Sequence, residues 1–530
     1  MSNNVGFVLM PVNFVRSEWR GIHITYASVT INAGEFKTMK RKLDFTEEET
    51  LDPEAWDSMR ELGHRMVDDM IDYTREIRNR PVWQRMSAEE KENFHSPVPI
   101  DPQHPEKVYE EFREHVLPYP VGNIHPRFWG WVLGTGTVFG AYAEFLASSM
   151  NTNTGGVDYH SANYVEKQVV DWFKELMGFS DTASGLLTSG CSAANLIGLT
   201  VARNAKAGFD LRREGVRQAT EKLTLYASRE IHSSVQKAVE LLGLGSEALR
   251  LVPVNEDFRI DIAELRAAIA RDREEGHRPF CIIGAAGTTN TGAFDDLRSL
   301  ADLCRSEDLW YHVDGAFGAW AVLSRSAKEL AAGMERADSL AFDLHKWMYM
   351  PYEIGCVLVQ HEEKHREAFS LTPDYLSHGE GGRGMTGGDL PWFSDYGFQL
   401  SRGFRALKAW MSIKEHGIAK YGRLIQQNID QARYLARLIE NEKELELMAP
   451  VTLNVVCFRF KKEGMSDVEQ DNLNRRILVE LQESGIAAPS GTVLNGRYAI
   501  HVAHTNHRSS RDDFDMLVRE VLCLGRGHAR

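Results

Sequence analysis

Ser339–Met350 reads SLAFDLHKWMYM and Tyr311–Phe317 reads YHVDGAF. Each opens on a short apolar run with no polar face, the pattern of a strand covered on both sides of a parallel sheet. Each then meets charge: Asp314 closes one run, and Asp343, His345 and Lys346 follow the other. In open α/β sheets these positions, at the carboxyl ends of strands, are where ligands collect. A buried carboxylate without a partner costs several kcal/mol, so Asp314 asks for a cation. Lys346 lies between an apolar run and Trp347, surroundings expected to lower its amine pKa and make it a nucleophile.

Working outward, similar runs occur at Gly185–Thr188, Leu223–Ala227, Cys281–Ala286, Leu309–Val313 and Gly355–Gln360. Helical patterns such as Tyr164–Met177 and Ile262–Arg273 lie between some of them. This alternation predicts an α/β fold, a mostly parallel sheet covered by helices. Beyond Arg402, helical patterns at Phe404–Tyr421 and Asn428–Glu440 lead to a strand at Leu453–Phe460. A helix at Glu469–Ser484 and a strand at Tyr498–Ala503 complete a smaller α+β domain. Toward the N-terminus, an amphipathic helix is expected from Thr46 to about Arg80, with Thr46 and Glu49 as a capping box. The proline-dotted stretch Pro97–Pro126 reads as linker and loop. The expected division is an N-terminal arm of unknown role (1–45), a helical segment (46–125), a large domain (126–405) and a small C-terminal domain (406–530). Met1–Thr38 lacks the features of a signal peptide; it is an extra arm, or Met39 is the true start.

At 530 residues the chain has room for two or three domains and a large core. Its 61 Lys and Arg against 75 Asp and Glu give a net charge of −14, which disfavours nonspecific binding to nucleic acid or anionic membrane. No apolar stretch is long enough to span a bilayer. Six scattered cysteines without a CxxC pair read as reduced thiols of a cytoplasmic protein, not as a disulfide framework or a zinc site. The expected partner is therefore a small molecule, with no nucleic acid, membrane or metal.

Three further segments sit just past strand ends. In SGCSAANL, the N–H groups of Gly190, Cys191 and Ser192, the Ser192 hydroxyl and the helix dipole make an anion cradle, or simply a capped helix. His232, in ASREIHSSV, offers a flat imidazole to the face of an aromatic ring, or merely starts a helix. Thr289, in GAAGTTNTGAFDD, offers a hydroxyl to a ring oxygen, or belongs only to a turn. Ala316, two residues after Asp314, leaves room for a ring's other face. A lysine for a covalent imine, a carboxylate for a ring nitrogen and a cradle for a phosphate together answer the needs of pyridoxal 5'-phosphate (PLP).

SGCSAANL, IHSSV, GTTNTGAFDDL, HVDGAFGAW, DLHKWMYMPYEIGCVLV and LSRGFRALKAW resemble the motifs of the PLP-dependent group II amino-acid decarboxylases, the family of aromatic L-amino-acid decarboxylase. The resemblance runs from about Glu54 to the C-terminus. It implies a PLP-dependent carboxy-lyase of fold type I, a homodimer with sites at the subunit interface, in which 46–125 serve dimer packing and 126–405 bind PLP. It implies that Lys346 carries the imine, Asp314 pairs with the ring nitrogen, His232 stacks on the ring and Ala316 packs against the other face. Gly190, Cys191 and Ser192 would bind the phosphate, with Thr289 and His345 near the cofactor. The implied reaction takes an L-amino acid, expected to be aromatic, to its amine and CO₂.

Three departures from the family's pattern bear on chemistry. Cys191 takes the middle position of a phosphate motif that often reads Gly-Gly-Ser or Ser-Ala-Ser; backbone donors do not depend on it. Between Tyr375 and Arg402 lies a glycine-rich stretch expected to be a mobile lid. Counting back from LSRGFRALK puts Phe393 where decarboxylases carry a proton-donating tyrosine. That implies an aromatic aldehyde synthase as the alternative, unless Tyr396 or Tyr375 supplies the proton. In the wall segment HPRFWGWVLGTG, Leu133-Gly134 replaces the Pro-Thr usual in aromatic-specific members, while Phe128, Trp129 and Trp131 either line an aromatic pocket or fill core.

Overall fold

The structure is a computed structural model that describes residues 49–155, 160–371 and 392–528. The arm at 1–45, and Tyr375 with most of the lid, lie outside the described residues. The chain divides into a unit ending at His64 and a larger one from Arg65 to Arg530.

Strand β1 (Phe128–Trp129) comes first and belongs to the smaller of two sheets. The larger sheet contains β2 (Ser184–Thr188), β3 (Leu223–Ser228), β4 (Leu249–Val252), β5 (Arg278–Ala285), β6 (Trp310–Asp314), β7 (Ser339–Asp343) and β8 (Gly355–Val359). Their spatial order is β2-β8-β7-β6-β5-β3-β4. All pairings are parallel except those of β8, which runs against both β2 and β7. The alternation of side chains explains why these strands lack a polar face. Tyr226 and Ile282 enter the core on one side of the sheet, whereas Leu225, Ala227, Cys281 and Ile283 enter the core on the other. Helices Ser161–Met177 and Leu297–Glu307 cover the first side, and helices Cys191–Lys206 and Ser233–Leu241 the second.

The smaller sheet has the order β1-β11-β12-β10-β9, with β9 at Leu445–Leu447, β10 at Val455–Phe460, β11 at Ala488–Leu494 and β12 at Arg497–Ala503. Only β1 is parallel to its neighbour; the other pairs are antiparallel. Its core joins Val456, Phe458 and Ile500 to Leu435, Ile477 and Phe514 from three long helices.

Three local expectations need correction. The helix expected from Thr46 begins at Trp56, seven residues beyond Glu49, while Thr46 lies outside the described residues. Pro97–Pro126 is not only loop. Pro105 occupies the first turn of a helix over Pro105–Glu111, where a missing N–H costs nothing. The helical pattern Phe404–Tyr421 breaks at Gly417, whose φ of +68° ends Ala406–His416 before Ile418–Glu440 begins.

Candidate active site

The carboxyl ends of β2, β3, β6 and β7 converge on a cavity of about 310 Å³. Gly190, Cys191, Ser192, His232, Asp314, Ala316, His345 and Lys346 all line it, as do Asp343 and Tyr352. The reversed strand β8 enters the same region by its amino end. A side chain at Gly355 would press on Asp343 Oδ1 and Gly190 Cα, each 2.7 Å from its Cβ, so glycine is what lets the two loops meet.

Asp314 ends β6 and is 5% exposed. Its Oδ2 accepts from Asn195 Nδ2 at 3.0 Å; its Oδ1 accepts from the Ala316 N–H at 3.1 Å and the Cys191 thiol at 3.4 Å. All three donors are neutral. Lys346 Nζ lies 3.0 Å from Asp343 Oδ2, with a fifth of its side chain exposed. Burial alone would lower the lysine pKa, as the sequence led us to expect. Asp343, with Asp314, overrides burial and raises it, so the free amine is an ammonium at neutral pH.

Asp343 corrects a second expectation. Its Oδ1 accepts the Cys191 N–H at 2.6 Å, so that donor is not free for an anion. The cradle at the start of helix Cys191–Lys206 is left to Ser192, with Gly190 as the cap residue. The Cys191 thiol is pushed up by burial and by the charges of Asp314 and Asp343, which keeps it protonated and inert.

His232 caps helix Ser233–Leu241, its Nδ1 accepting the Ser234 N–H at 3.2 Å, and it lines the cavity as well; the two readings of this residue are compatible. Burial lowers its pKa, with Asp314 opposing. His345 is also lowered, chiefly by burial, and its ring packs on Tyr352 with centroids 4.4 Å apart. Tyr352 is a cavity phenol whose pKa burial raises to about 12.

Several expected residues lie elsewhere. Thr289 does not line the cavity; its carbonyl accepts from His501 Nε2 at 2.9 Å. Phe393 and Tyr396 sit in a short 3-10 turn, are 3% and 2% exposed, and pack in the core beside Leu186 and Ile197. Arg402 lies over the Phe393 ring, and Tyr396 donates to Glu362 Oε1 at 2.6 Å. Drawing either ring out to the cavity would forfeit about 1.5–3 kcal/mol of apolar burial. Phe128 and Trp129 fill core, and Trp131 is exposed; none of the three lines the cavity. At Gly134 any Cβ would collide with the carbonyl oxygens of His345 and Lys346, which accounts for glycine there.

The residues that sequence reasoning missed are Asp343, Asn195, Ser234 and Tyr352. Asp343 carries the signal that singled out Asp314, a carboxylate closing a buried run, and was read only as a neighbour of the lysine.

The donor set fits PLP. It offers an amine for the aldehyde carbon, a carboxylate held by neutral donors for a ring nitrogen, and a helix start with a serine for a phosphate. Residues 88–461 match the family described as "Pyridoxal-dependent decarboxylase conserved domain". An aromatic-L-amino-acid decarboxylase of Bacillus atrophaeus is 33% identical over 471 residues, 88% of this chain and 95% of that protein. A phenylacetaldehyde synthase of Petunia hybrida is 28% identical over 469 residues, 86% of this chain and 90% of that protein. The crystal structure of Oryza sativa TDC with PLP and tryptamine superimposes with a TM-score of 0.83 at 24% identity, covering 91% of this chain and all of that one. Its fold is therefore shared. With strand-end chemistry, family match and curated relatives in agreement, the chain belongs to the pyridoxal-dependent decarboxylases.

Proposed function

We propose that this PLP-dependent decarboxylase converts an aromatic L-amino acid to its amine and CO₂. The observation that carries the reading is that Lys346 and Asp314, from adjacent strands, face one cavity. The aromatic substrate rests on the named relatives.

When bound, PLP supplies an electron sink for the pair released as the carboxylate carbon departs. Lys346 Nζ is placed to hold the cofactor's aldehyde carbon, and Asp343, at 3.0 Å, is placed to take the proton that the amine must lose first. Asp314 would hold a proton at the ring nitrogen, His232 would cover a ring face, and Ser192 with its helix start would receive the phosphate. The bond from Cα to the carboxylate breaks, and a proton must replace CO₂ at Cα. Tyr352 lines the cavity and is placed to deliver it; Tyr375, the other phenol the sequence offered, lies outside the described residues. Separate Tyr352→Phe and Tyr375→Phe substitutions distinguish them.

The aldehyde-synthase alternative was drawn from Phe393 as the lid residue, and its burial beside Arg402 favours the decarboxylase reading over it. The assay is a panel of L-amino acids followed for CO₂, amine, aldehyde and peroxide. Amine without peroxide is expected; aldehyde with peroxide and oxygen uptake would overturn the reading.

The working unit is a homodimer. Helix Val138–Met150 leaves Phe145, Leu146 and Met150 exposed beside an apolar groove of about 480 Å³, and Tyr352 lines both that groove and the cavity. Apolar surface of this kind marks an interface. Phe145→Glu should yield monomer in light scattering. The six unpaired cysteines suit a cytoplasmic setting, and among the described residues no helix is long and apolar enough to cross a membrane.

A further inference from the structure

Behind the cavity, one fully buried amide joins the two ring-facing groups. Asn195, in helix Cys191–Lys206, has no exposed surface. Its Nδ2 donates to Asp314 Oδ2 at 3.0 Å and to Ser234 Oγ at 3.2 Å, and its Oδ1 lies 2.9 Å from His312 Nε2. Ser234 Oγ in turn lies 2.8 Å from His232 Nδ1. On the far side, His312 Nδ1 lies 2.7 Å from Ser339 Oγ, which accepts from Trp310 Nε1 at 2.8 Å.

Proton positions along this chain follow from one fact: an ionised carboxylate only accepts. The amide must therefore turn its NH₂ to Asp314, since the flipped rotamer would oppose two acceptor oxygens at 3.0 Å. With Oδ1 facing His312, that ring must carry its proton on Nε2. Burial lowers the His312 pKa to about 4, so it is neutral and has only one N–H to give. Its Nδ1 then accepts from the Ser339 hydroxyl. In the other direction, His232 Nδ1 accepts the Ser234 backbone N–H and so carries no proton, which leaves its proton on Nε2. The Ser234 hydroxyl, which accepts the second amide N–H, therefore turns its own proton to that nitrogen.

We propose that Asn195 is a positioning residue: steered by the Asp314 charge, its amide holds that carboxylate in place and, through Ser234, fixes His232 as the Nε2–H tautomer. The cavity thereby receives a hydrogen-bond donor from His232 and an acceptor from Asp314, both set by the same side chain. The inference rests on the reading of Asp314 and His232 as residues that face the cofactor.

Two measurements on the full-length chain test it. Asn195→Asp keeps the size of the side chain but puts an acceptor against Asp314. PLP affinity, read from the absorbance of the bound cofactor, should weaken by about tenfold or more; wild-type affinity in this variant would overturn the proposal. The second test does not depend on that variant folding. Ring-nitrogen resonances of ¹⁵N-histidine-labelled wild-type protein, without added PLP, should show His232 as the Nε2–H form. Ser234→Ala should give a mixture of tautomers, and Ser234→Thr should restore the single form. A dominant Nδ1–H form in the wild type, or no change in Ser234→Ala, would overturn the proposal. If the wild type takes up no PLP, the cofactor reading fails, while the tautomer result still decides this one.

Discussion

Asp314 and Asp343 end two neighbouring parallel strands and open on the same cavity, yet their surroundings differ in kind. Asp314 is held by an amide, a backbone N–H and a thiol, none of which cancels its charge. Asp343 is already matched by the Lys346 ammonium at 3.0 Å and by the Cys191 N–H at 2.6 Å. A buried carboxylate supported only by neutral donors keeps its attraction for an incoming cation, whereas one with a resident cation has spent it. The first is suited to a protonated ring nitrogen and the second to governing a lysine's proton.

That contrast can be broken at several points. Lys346→Ala should have the largest effect. Multiple turnover should fall by more than about a thousandfold, with PLP bound in a form that borohydride does not fix to the chain; wild-type turnover would remove the lysine from the chemistry. Asp314→Asn puts an amide where the ring nitrogen needs a negative charge. We expect turnover to drop about a hundredfold and PLP binding to weaken, measured by steady-state kinetics and cofactor titration.

Asp343→Asn should act on the lysine instead. Removing the main group that raises the Lys346 pKa lets burial lower it, so the rate of covalent PLP capture should move about one pH unit or more toward acid. The raised pKa also stabilises the fold at pH values below 10.5, the lysine's ordinary value, and this support is lost as pH rises through the folded-state pKa. Thermal unfolding of Asp343→Asn should show a deficit at neutral pH that narrows at strongly alkaline pH. Phe393→Tyr should have the smallest effect. It should leave the ratio of amine to aldehyde unchanged, because the ring packs beneath Arg402 and not at the cavity. A changed ratio would restore Phe393 to the lid.

Much of this arrangement was legible in the sequence. The buried runs ending in Asp314 and preceding Lys346 located β6 and β7 to within a residue, because each is too short for a buried helix and is bounded by charge. The cradle at Gly190 and the histidine at position 232 were legible as helix starts following strands. Neighbours across the sheet were not legible. Asn195, Ser234 and Asp314 meet through three different elements, and no spacing along the chain announces such a contact. The direction of the Lys346 shift was misread for a different reason: burial was inferred from adjacent apolar residues, and Asp343, three residues away, was not weighed as the charge that would lie 3.0 Å from the amine. Phe393 was placed by counting back from LSRGFRALK, and that count carries no information on its burial in the core.

Gly134 has a consequence for redesign. Because a side chain there would meet the peptide carbonyls of His345 and Lys346, the loop at 133–134 and the loop that carries Lys346 pack backbone against backbone. Any residue larger than glycine at 134 would wedge into that seam and push on the segment that places the lysine. A redesign that changes one of these two loops has to change the other with it.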